Sequence, residues 1–390
     1  MSRITATLLA AGIALSSVAM QPLDNIVTEV IARDNSLSAE LKQLFIPALE
    51  TSAENTAEGP EVEFEHLWGR DGDTRWSLGV SEEINWPGLY GARRELASRQ
   101  DSLAYCMSSI IIFDAGLEAK LLVLDAVNAR ARLDFYIELD NNLRRISTLT
   151  EESYNLGEAT ILDLRKTQLA LLDSRGQIQT ARAELESSLA GLRAKGVSVP
   201  AGDNEIWEAY PMQNSTAPST EAESYPQYAL AQAGDRVSMA ASRVIKHSSL
   251  PSFSLGYVHA FEEQTHFNGL TISVKLPTFS RKRKMALLNV ETEANTLAYS
   301  GALQSAMAEV AGQYLVAQSL AGTIADYERL SGDNSYLQLL GEAFDGGELT
   351  VIDYLNEVNL FKSARLNYID LLYRYNMALA RLNRYRSTMF

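Results

Sequence analysis

Cysteine, histidine and positive charge are all scarce in this chain. Its 390 residues include one cysteine, Cys106, and four histidines, and the formal net charge is -15. One cysteine cannot form an internal disulfide, and the histidines have none of the paired spacings of a metal site. No stretch supplies the basic stripe that nucleic acid requires. Since nucleophile, P-loop and dinucleotide motifs are missing too, the sequence predicts no catalytic residue, cofactor or metal site.

Long apolar runs are missing as well, except at the start of the chain. Arg3 precedes an apolar stretch at 4–15 and small residues at 16–19, a pattern that predicts a secretory signal over 1–20. The mature protein is therefore expected to leave the cytoplasm. Beyond the signal, no apolar run is long enough for a transmembrane helix, so any membrane-spanning segment would have to consist of strands.

Proline is absent from two long parts of the chain, between Pro87 and Pro200 and after Pro277. Leucine or isoleucine recurs at every seventh residue in the first part, at Leu96, Leu103, Ile110, Leu117 and Leu124, and then at Leu164, Leu171, Ile178, Leu185 and Leu192. Sustained heptads predict coiled-coil packing. A helix from about residue 89 to 149 would be about 90 Å long, at roughly 1.5 Å per residue.

The second half of the chain repeats the first at an offset of 190 positions, which carries Gly157 onto Gly347. The same offset relates Gly79 to Gly269, Pro87 to Pro277 and Arg175 to Arg365. It also carries the second heptad series onto Tyr354, Phe361, Tyr368, Tyr375 and Leu382. One offset that serves several separated regions without a gap indicates a tandem duplication of one architectural unit.

Each repeat contains a pair of alternating apolar and polar stretches ahead of its long helices, and each pair predicts a β-hairpin. Glu82 is the one break in the alternation of the first hairpin. Alternation alone is also typical of a half-buried sheet in a soluble domain, and this alternative stays open. If the strands sit in lipid, their edges must be paired, and four strands are too few to close a barrel. Membrane insertion would therefore require the chain to oligomerise.

The predicted organisation follows from these patterns. The chain begins with a signal peptide (1–20). A first repeat (21–195) follows, with N-terminal helices, a hairpin at about 61–86 and a long helix pair at about 88–195. A linker or equatorial segment (196–222), rich in proline and polar residues, leads to a second repeat (223–390) with a helix, a hairpin at about 251–276 and a long helix pair at about 280–388. The predicted fold class is therefore α+β.

The order of these features resembles the TolC-like outer-membrane efflux protein family. The resemblance rests on the strand-to-helix passages at 83–88 and 275–277 and on two helix-turn signatures, Tyr154-x-x-Gly157-Glu158-x-x-x-x-Asp163 and Phe344-x-x-Gly347-Glu348-x-x-x-x-Asp353. It implies a homotrimer in the outer membrane, with four strands per chain in a twelve-stranded β-barrel and a long periplasmic α-helical coiled-coil barrel. It also implies a passive conduit that works with a periplasmic adaptor protein and an inner-membrane efflux transporter.

Within that family, Trp86-Pro87-Gly88 and Arg93-Arg94 are more similar to the branch that serves heavy-metal and multidrug transporters of the resistance-nodulation-division type. The exported compounds would then be small toxic molecules or metal cations. Two alternatives remain, a periplasmic adaptor and a secreted structural coiled-coil protein. Neither explains a repeat that spans the whole chain and includes both hairpins.

The two glycine turns would form the periplasmic tips of the helical tube. In the family, exposed tips dock the adaptor, which here implies the two segments Leu156-Gly157-Glu158 and Gly346-Gly347-Glu348. The alternative is that both are ordinary coiled-coil turns, in which glycine supplies the positive φ of a tight reversal.

The resemblance also places Asp163 and Asp353 near the narrow periplasmic mouth. Three copies of Asp353 would form a carboxylate ring that favours cations. The alternative is an aspartate on a solvated helix face. Phe344 and Asn356 replace a tyrosine and an aspartate of the family's gate, so we expect a mouth closed by apolar contacts or regulated differently. The one basic cluster, at 281–284, is expected to face lipid headgroups or periplasmic solvent.

Overall fold

The computed structural model describes residues 22–56, 59–68, 74–197, 215–262, 265–276, 280–331 and 335–385. The predicted signal at 1–20 and most of the predicted linker at 196–222 therefore lie outside the described residues.

The chain alternates helices with two pairs of strands. The helices are α1 (Pro22–Arg33), α2 (Asn35–Gln43), α3 (Ile46–Ala53), α4 (Pro87–Asn155), α5 (Ile161–Ala194), α6 (Pro226–His247), α7 (Arg281–Ser331), α8 (Ser335–Asp345) and α9 (Val351–Leu382). The strands are β1 (Glu61–Trp68), β2 (Thr74–Ile84), β3 (Ser252–Glu262) and β4 (Thr265–Lys275). The predicted combination of four strands with very long helices is confirmed. No helix in the described ranges is long and apolar enough to cross a membrane.

Helix α4 has 69 residues and is longer at both ends than the stretch predicted from its leucines. Leu117 and Leu124 are buried as the heptads predict. Near the start of the helix, Ala97 and Ala104 are buried instead, and the leucines that precede them are only partly covered. The leucine series of α4 is therefore buried only from Leu117 onward.

The four strands form one antiparallel sheet in the order β1-β2-β3-β4. The hairpins of the two repeats join through β2 and β3, where Arg75 lies opposite Glu262 at one end and Ile84 lies opposite Phe253 at the other. Among the described residues, β1 and β4 each pair on one side only. The sheet therefore has two open edges.

The two faces of this sheet differ sharply in chemistry, because successive side chains of a strand point to opposite sides. One face, called the apolar face here, carries rows of opposed residues such as Val62, Val80, Tyr257 and Leu270. The other, the polar face, carries rows such as Glu61, Ser81, Gly256 and Thr271. Glu82 is the one acidic side chain on the apolar face among the described residues.

Two compact units combine segments from both repeats. The first unit holds the described residues within 1–37, 112–220 and 307–390, and its buried core includes heptad positions of α5 and α9, such as Leu185, Leu192 and Phe361. The second unit holds residues 38–111 and 221–306, which include the sheet. Neither unit coincides with one repeat, since the hairpins pair with each other and the helices of one repeat pack on those of the other.

Asp34 ties the N-terminal helices to the end of α5 in the first unit. Its Oδ1 accepts hydrogen bonds from the Ser36 and Leu37 amides, at 2.9 and 3.3 Å. Its Oδ2 lies 2.8 Å from the Lys195 ammonium, which also lies 3.2 Å from Glu118. The hydrogen bond from Lys195, followed by that from Ser36, lowers the pKa of the Asp34 carboxyl from 3.8 to about 2.

The lowered pKa of Asp34 predicts that the stability of the fold depends on pH. The folded-state pKa lies below the unfolded value, so Asp34 contributes its stability above about pH 4 and loses it as the pH falls towards 2. The full contribution is about 2 kcal/mol. We expect Asp34→Asn to lower the apparent melting temperature at pH 6, and the gap from wild type to close by pH 2. Asp326→Asn removes an exposed partner of Arg329 and is the control, with a gap near zero throughout. A constant gap for Asp34→Asn would contradict the prediction.

Candidate functional site

The first candidate site is the turn between α4 and α5. Gly157 has φ +80°, and its amide donates to the Tyr154 carbonyl at 3.0 Å. The Glu158 amide donates to the Ser153 carbonyl at 2.8 Å. These two bonds and the positive φ form a Schellman motif, which satisfies the last carbonyls of α4. Glycine at this position avoids the steric cost that a side chain would add.

The turn between α8 and α9 has the same construction. Gly347 has φ +71°, its amide donates to Phe344 at 3.0 Å, and the Glu348 amide donates to Ala343 at 2.9 Å. Every partner is offset by 190 positions from its counterpart in the first turn. The duplication therefore preserved the hydrogen bonds of the turn as well as its glycine.

A threonine caps the helix that follows each turn. Thr160 Oγ1 accepts from the Asp163 amide at 3.2 Å and donates to Asp163 Oδ2 at 2.6 Å, and Asp163 Oδ2 also accepts from the Thr160 amide at 3.2 Å. Thr350 and Asp353 repeat the hydroxyl bonds at 2.6 and 3.2 Å. The first is a capping box with aspartate as the third helical residue, and the second shares its two hydroxyl bonds. The hydrogen bond from the Thr160 hydroxyl lowers the pKa of the Asp163 carboxyl.

The second turn is anchored to α4 by buried and charged contacts. Tyr354 is fully buried, and its hydroxyl donates to Asn142 Oδ1. Burial raises the pKa of that hydroxyl to about 12. The Phe344 ring packs against Tyr354 with centroids 5.2 Å apart. Arg145 donates to both carboxylate oxygens of Asp345, at 2.6 and 3.0 Å, which fixes the end of α8.

A groove of about 370 Å³ lies between α5 and α9 in the same unit, with part of α4 as its floor. Leu139, Leu143 and Val358 supply apolar lining, and Lys362 lies 3.7 Å from Asp173 at its rim. Ser174 lines the groove with its Oγ buried and unpartnered among the described residues. Ser174 belongs to a series of small buried side chains in α5, Thr167, Ser174 and Ala181, which are spaced by seven residues.

The structure places the predicted residues in two groups. Those predicted to dock a partner are exposed at the turns, namely Leu156, Gly157 and Glu158 in the first and Gly346, Gly347 and Glu348 in the second. Of the residues predicted at the mouth, Asp353 and Asn356 are exposed, Asp163 and Phe344 are partly buried, and each aspartate is held by its own threonine. The sequence analysis missed Arg145, Asn142 and the groove. Within the described residues, no group of three histidine, cysteine, aspartate or glutamate side chains is placed to hold a metal ion.

The fold is shared with solved channel structures. CusC, in crystal structures that concern folding and transmembrane channel formation, superposes with a TM-score of 0.71 at 14% identity over 95% of both chains. A membrane protein from Pseudomonas aeruginosa gives a TM-score of 0.74 at 16% identity, over 94% of this chain and 90% of that one. The CmeC outer membrane channel of Campylobacter jejuni gives 0.70 at 15% identity, over 95% and 86%.

No protein-family model and no curated protein matches the sequence. At the low identities of the structural matches, the likeness establishes a common fold. The chain therefore has the TolC-like fold that its motifs resemble.

Proposed function

We propose that three copies of this chain form an outer-membrane channel, the passive exit conduit of a tripartite efflux pump. The observation that carries the proposal is the four-stranded sheet, which has one apolar face, one polar face and two open edges. The apolar side chains of this face are exposed in the single chain, both on the central strands, where Tyr257 is 50% accessible, and on the edge, where Leu270 is 78% accessible. Such a face needs an apolar environment.

Lipid accounts for both the exposed face and the open edges. Transmembrane barrels alternate apolar residues outward with polar residues inward, and unpaired strand edges are not tolerated in hydrocarbon. An even number of antiparallel strands lets β4 of one chain lie antiparallel to β1 of the next. Three chains would supply twelve strands, which is enough to close a barrel. The shared fold with a protein named as an outer membrane channel supports this assembly.

The polar face would then line the water-filled interior. Glu61, Glu63 and Glu65 lie along β1 on this face, opposite Ser81, Gly79 and Ser77. No ion pair links these glutamates to a cation among the described residues, so the interior would be acidic. The long helices would continue the conduit through the periplasm. Three copies of Asp353 would form a carboxylate ring at its periplasmic mouth.

The two exposed turns would be the docking surface for the periplasmic adaptor, which connects the channel to an inner-membrane efflux transporter. The transported compounds would be small toxic molecules or metal cations. An acidic interior and an acidic mouth are compatible with both, because passive conduction needs no dedicated binding site. The conduit performs no catalysis in this proposal.

The molar mass of the detergent-extracted protein tests the proposal directly. We expect light scattering to give three chains per particle, and the same protein to fractionate with the outer membrane and to migrate differently on gels before and after heating. A water-soluble monomer or dimer would contradict the shared barrel. The periplasmic adaptor or the secreted structural coiled coil would then be the better account.

A leucine at the first turn provides a test of docking. Leu156 is 75% exposed, so Leu156→Lys is expected to leave the fold intact while placing a charge in the docking surface. We expect the trimer to form normally, adaptor capture to fall at least tenfold and efflux to fail in cells. Leu49→Lys, at a comparably exposed leucine of α3, is the matched control. Unchanged adaptor capture by Leu156→Lys would exclude this turn from the docking surface.

A further inference from the structure

Four consecutive cations open helix α7. Arg281, Lys282, Arg283 and Lys284 form what we call the basic turn, and all four side chains are exposed. No acidic residue occurs in this first turn. Within the part of the chain that the structure describes, none of the four makes an ion pair or a side-chain hydrogen bond. The cluster is the more unusual because the whole chain carries a net charge of -15.

The position of these cations is unfavourable for the helix itself. A helix N-terminus carries a partial positive charge, which acidic residues stabilise and basic residues oppose. Four adjacent cations also repel one another. Basic residues at a helix N-terminus, with no compensating contact inside the fold, are characteristic of a functional surface. An external anion would relieve both the mutual repulsion and the conflict with the helix terminus.

The neighbouring residues indicate where that anion lies. The basic turn begins six positions after Lys275, the last residue of β4, so it lies within about 20 Å of the end of the sheet. At this end the apolar face finishes with exposed Ile84, and Trp86 and Leu276, just past the ends of β2 and β4, are also exposed. Tryptophan at the margin of an apolar band is typical of the boundary between lipid tails and headgroups.

We infer that the basic turn binds the phosphate groups of anionic phospholipids in the inner leaflet of the outer membrane. The inference rests on the proposed function, because only a sheet embedded in lipid brings headgroups to this turn. Arginine and lysine recognise phosphate through charge-assisted hydrogen bonds, and clusters of four or more beside a membrane attract anionic lipid. Three copies in the trimer would form a basic collar around the barrel at its periplasmic rim.

The test uses the full-length protein, purified in detergent and incubated with an equimolar mixture of phosphatidylglycerol and phosphatidylethanolamine. After detergent exchange, native mass spectrometry counts the lipids retained by each trimer. We expect phosphatidylglycerol to be enriched on the wild type. In the variant Arg281→Gln/Lys282→Gln/Arg283→Gln/Lys284→Gln, we expect its retention to fall by roughly fivefold for each charge removed. Phosphatidylethanolamine retention and trimer mass should not change.

A matched variant controls for total charge. Arg165→Gln/Lys166→Gln/Arg175→Gln/Arg182→Gln removes four exposed cations from α5, in the other compact unit, and should keep the phosphatidylglycerol enrichment. Equal enrichment in the basic-turn variant, or an equal loss in the control, would overturn the inference. Complete displacement of phosphatidylglycerol by millimolar inorganic phosphate would also overturn it, since the site would then recognise free phosphate. A water-soluble wild type that retains neither lipid would overturn the proposed function itself, which its molar mass would reveal separately.

Discussion

Arginine in place of Leu270 is expected to abolish trimer assembly, whereas arginine in place of the adjacent Thr271 should leave it intact. Leu270 lies in the middle of β4 on the apolar face, and Thr271 lies on the polar face beside Gly256. A lipid-facing arginine near the bilayer midplane costs about 2–4 kcal/mol. That cost recurs in every copy of a symmetric trimer. An arginine inside the barrel would remain in water and meet an acidic wall.

Comparing the two variants tests whether the apolar face is surrounded by lipid or by water. Both positions share the same strand, and both side chains are exposed in the single chain. If that face met water, each arginine would change stability by only about 0.5 kcal/mol. The measurement is the yield of heat-modifiable trimer in the outer-membrane fraction. Equal yields of trimer from the two variants would contradict a lipid-facing sheet and favour a half-buried sheet in a soluble domain.

Asparagine in place of Asp353 is expected to reduce cation selectivity several-fold in planar-bilayer recordings. The exchange removes three carboxylates from the proposed ring at the mouth, and it should also weaken block by multivalent cations. Asparagine keeps a side-chain oxygen for the Thr350 hydroxyl, so the capping interaction is largely preserved. The change in charge is thus separated from the change in helix capping.

Two further variants distinguish the effect of the Asp353 ring from the effects of a neighbouring charge and of helix capping. Glu348→Gln removes the same charge from the exposed turn and should leave selectivity unchanged. Thr350→Val keeps the Asp353 charge but removes the cap, which costs about 1 kcal/mol. It should alter stability more than selectivity. If Asp353→Asn and Glu348→Gln changed selectivity equally, the mouth would have no dedicated ring, and Asp353 would be explained by capping alone.

The parts of the fold that could be predicted are those set by long, regular patterns. Heptads maintained over several turns identified the buried seam of α5, and its duplicate placed Tyr354, Phe361 and Tyr375 in the core. Alternation identified the strands. Such periods record which side of an element is buried, and they average over many residues. The 190-position offset then checked each assignment against an independent copy.

The details of the candidate site depended on contacts that periodicity does not encode. The threonine caps have a local signal, Thr-x-x-Asp after each glycine turn, whereas the family resemblance implies a mouth role for Asp163 and Asp353. The partnership of Arg145 with Asp345 spans 200 positions and has no sequence signature. The groove is lined by residues of α4, α5 and α9, and a pattern of apolar positions does not show how completely the space between three helices is filled.

The junction between β2 and β3 has a consequence for the order of folding. It joins parts of the chain that are far apart, as the bond between Ser252 and Glu83 across 169 positions illustrates. Each hairpin and each capped helical turn closes over a short loop, so these pieces can form early and independently. The junction must wait for a long loop to close, and long-range pairing is the slow step in chains of this kind. We therefore expect each hairpin to form before the junction between β2 and β3 closes.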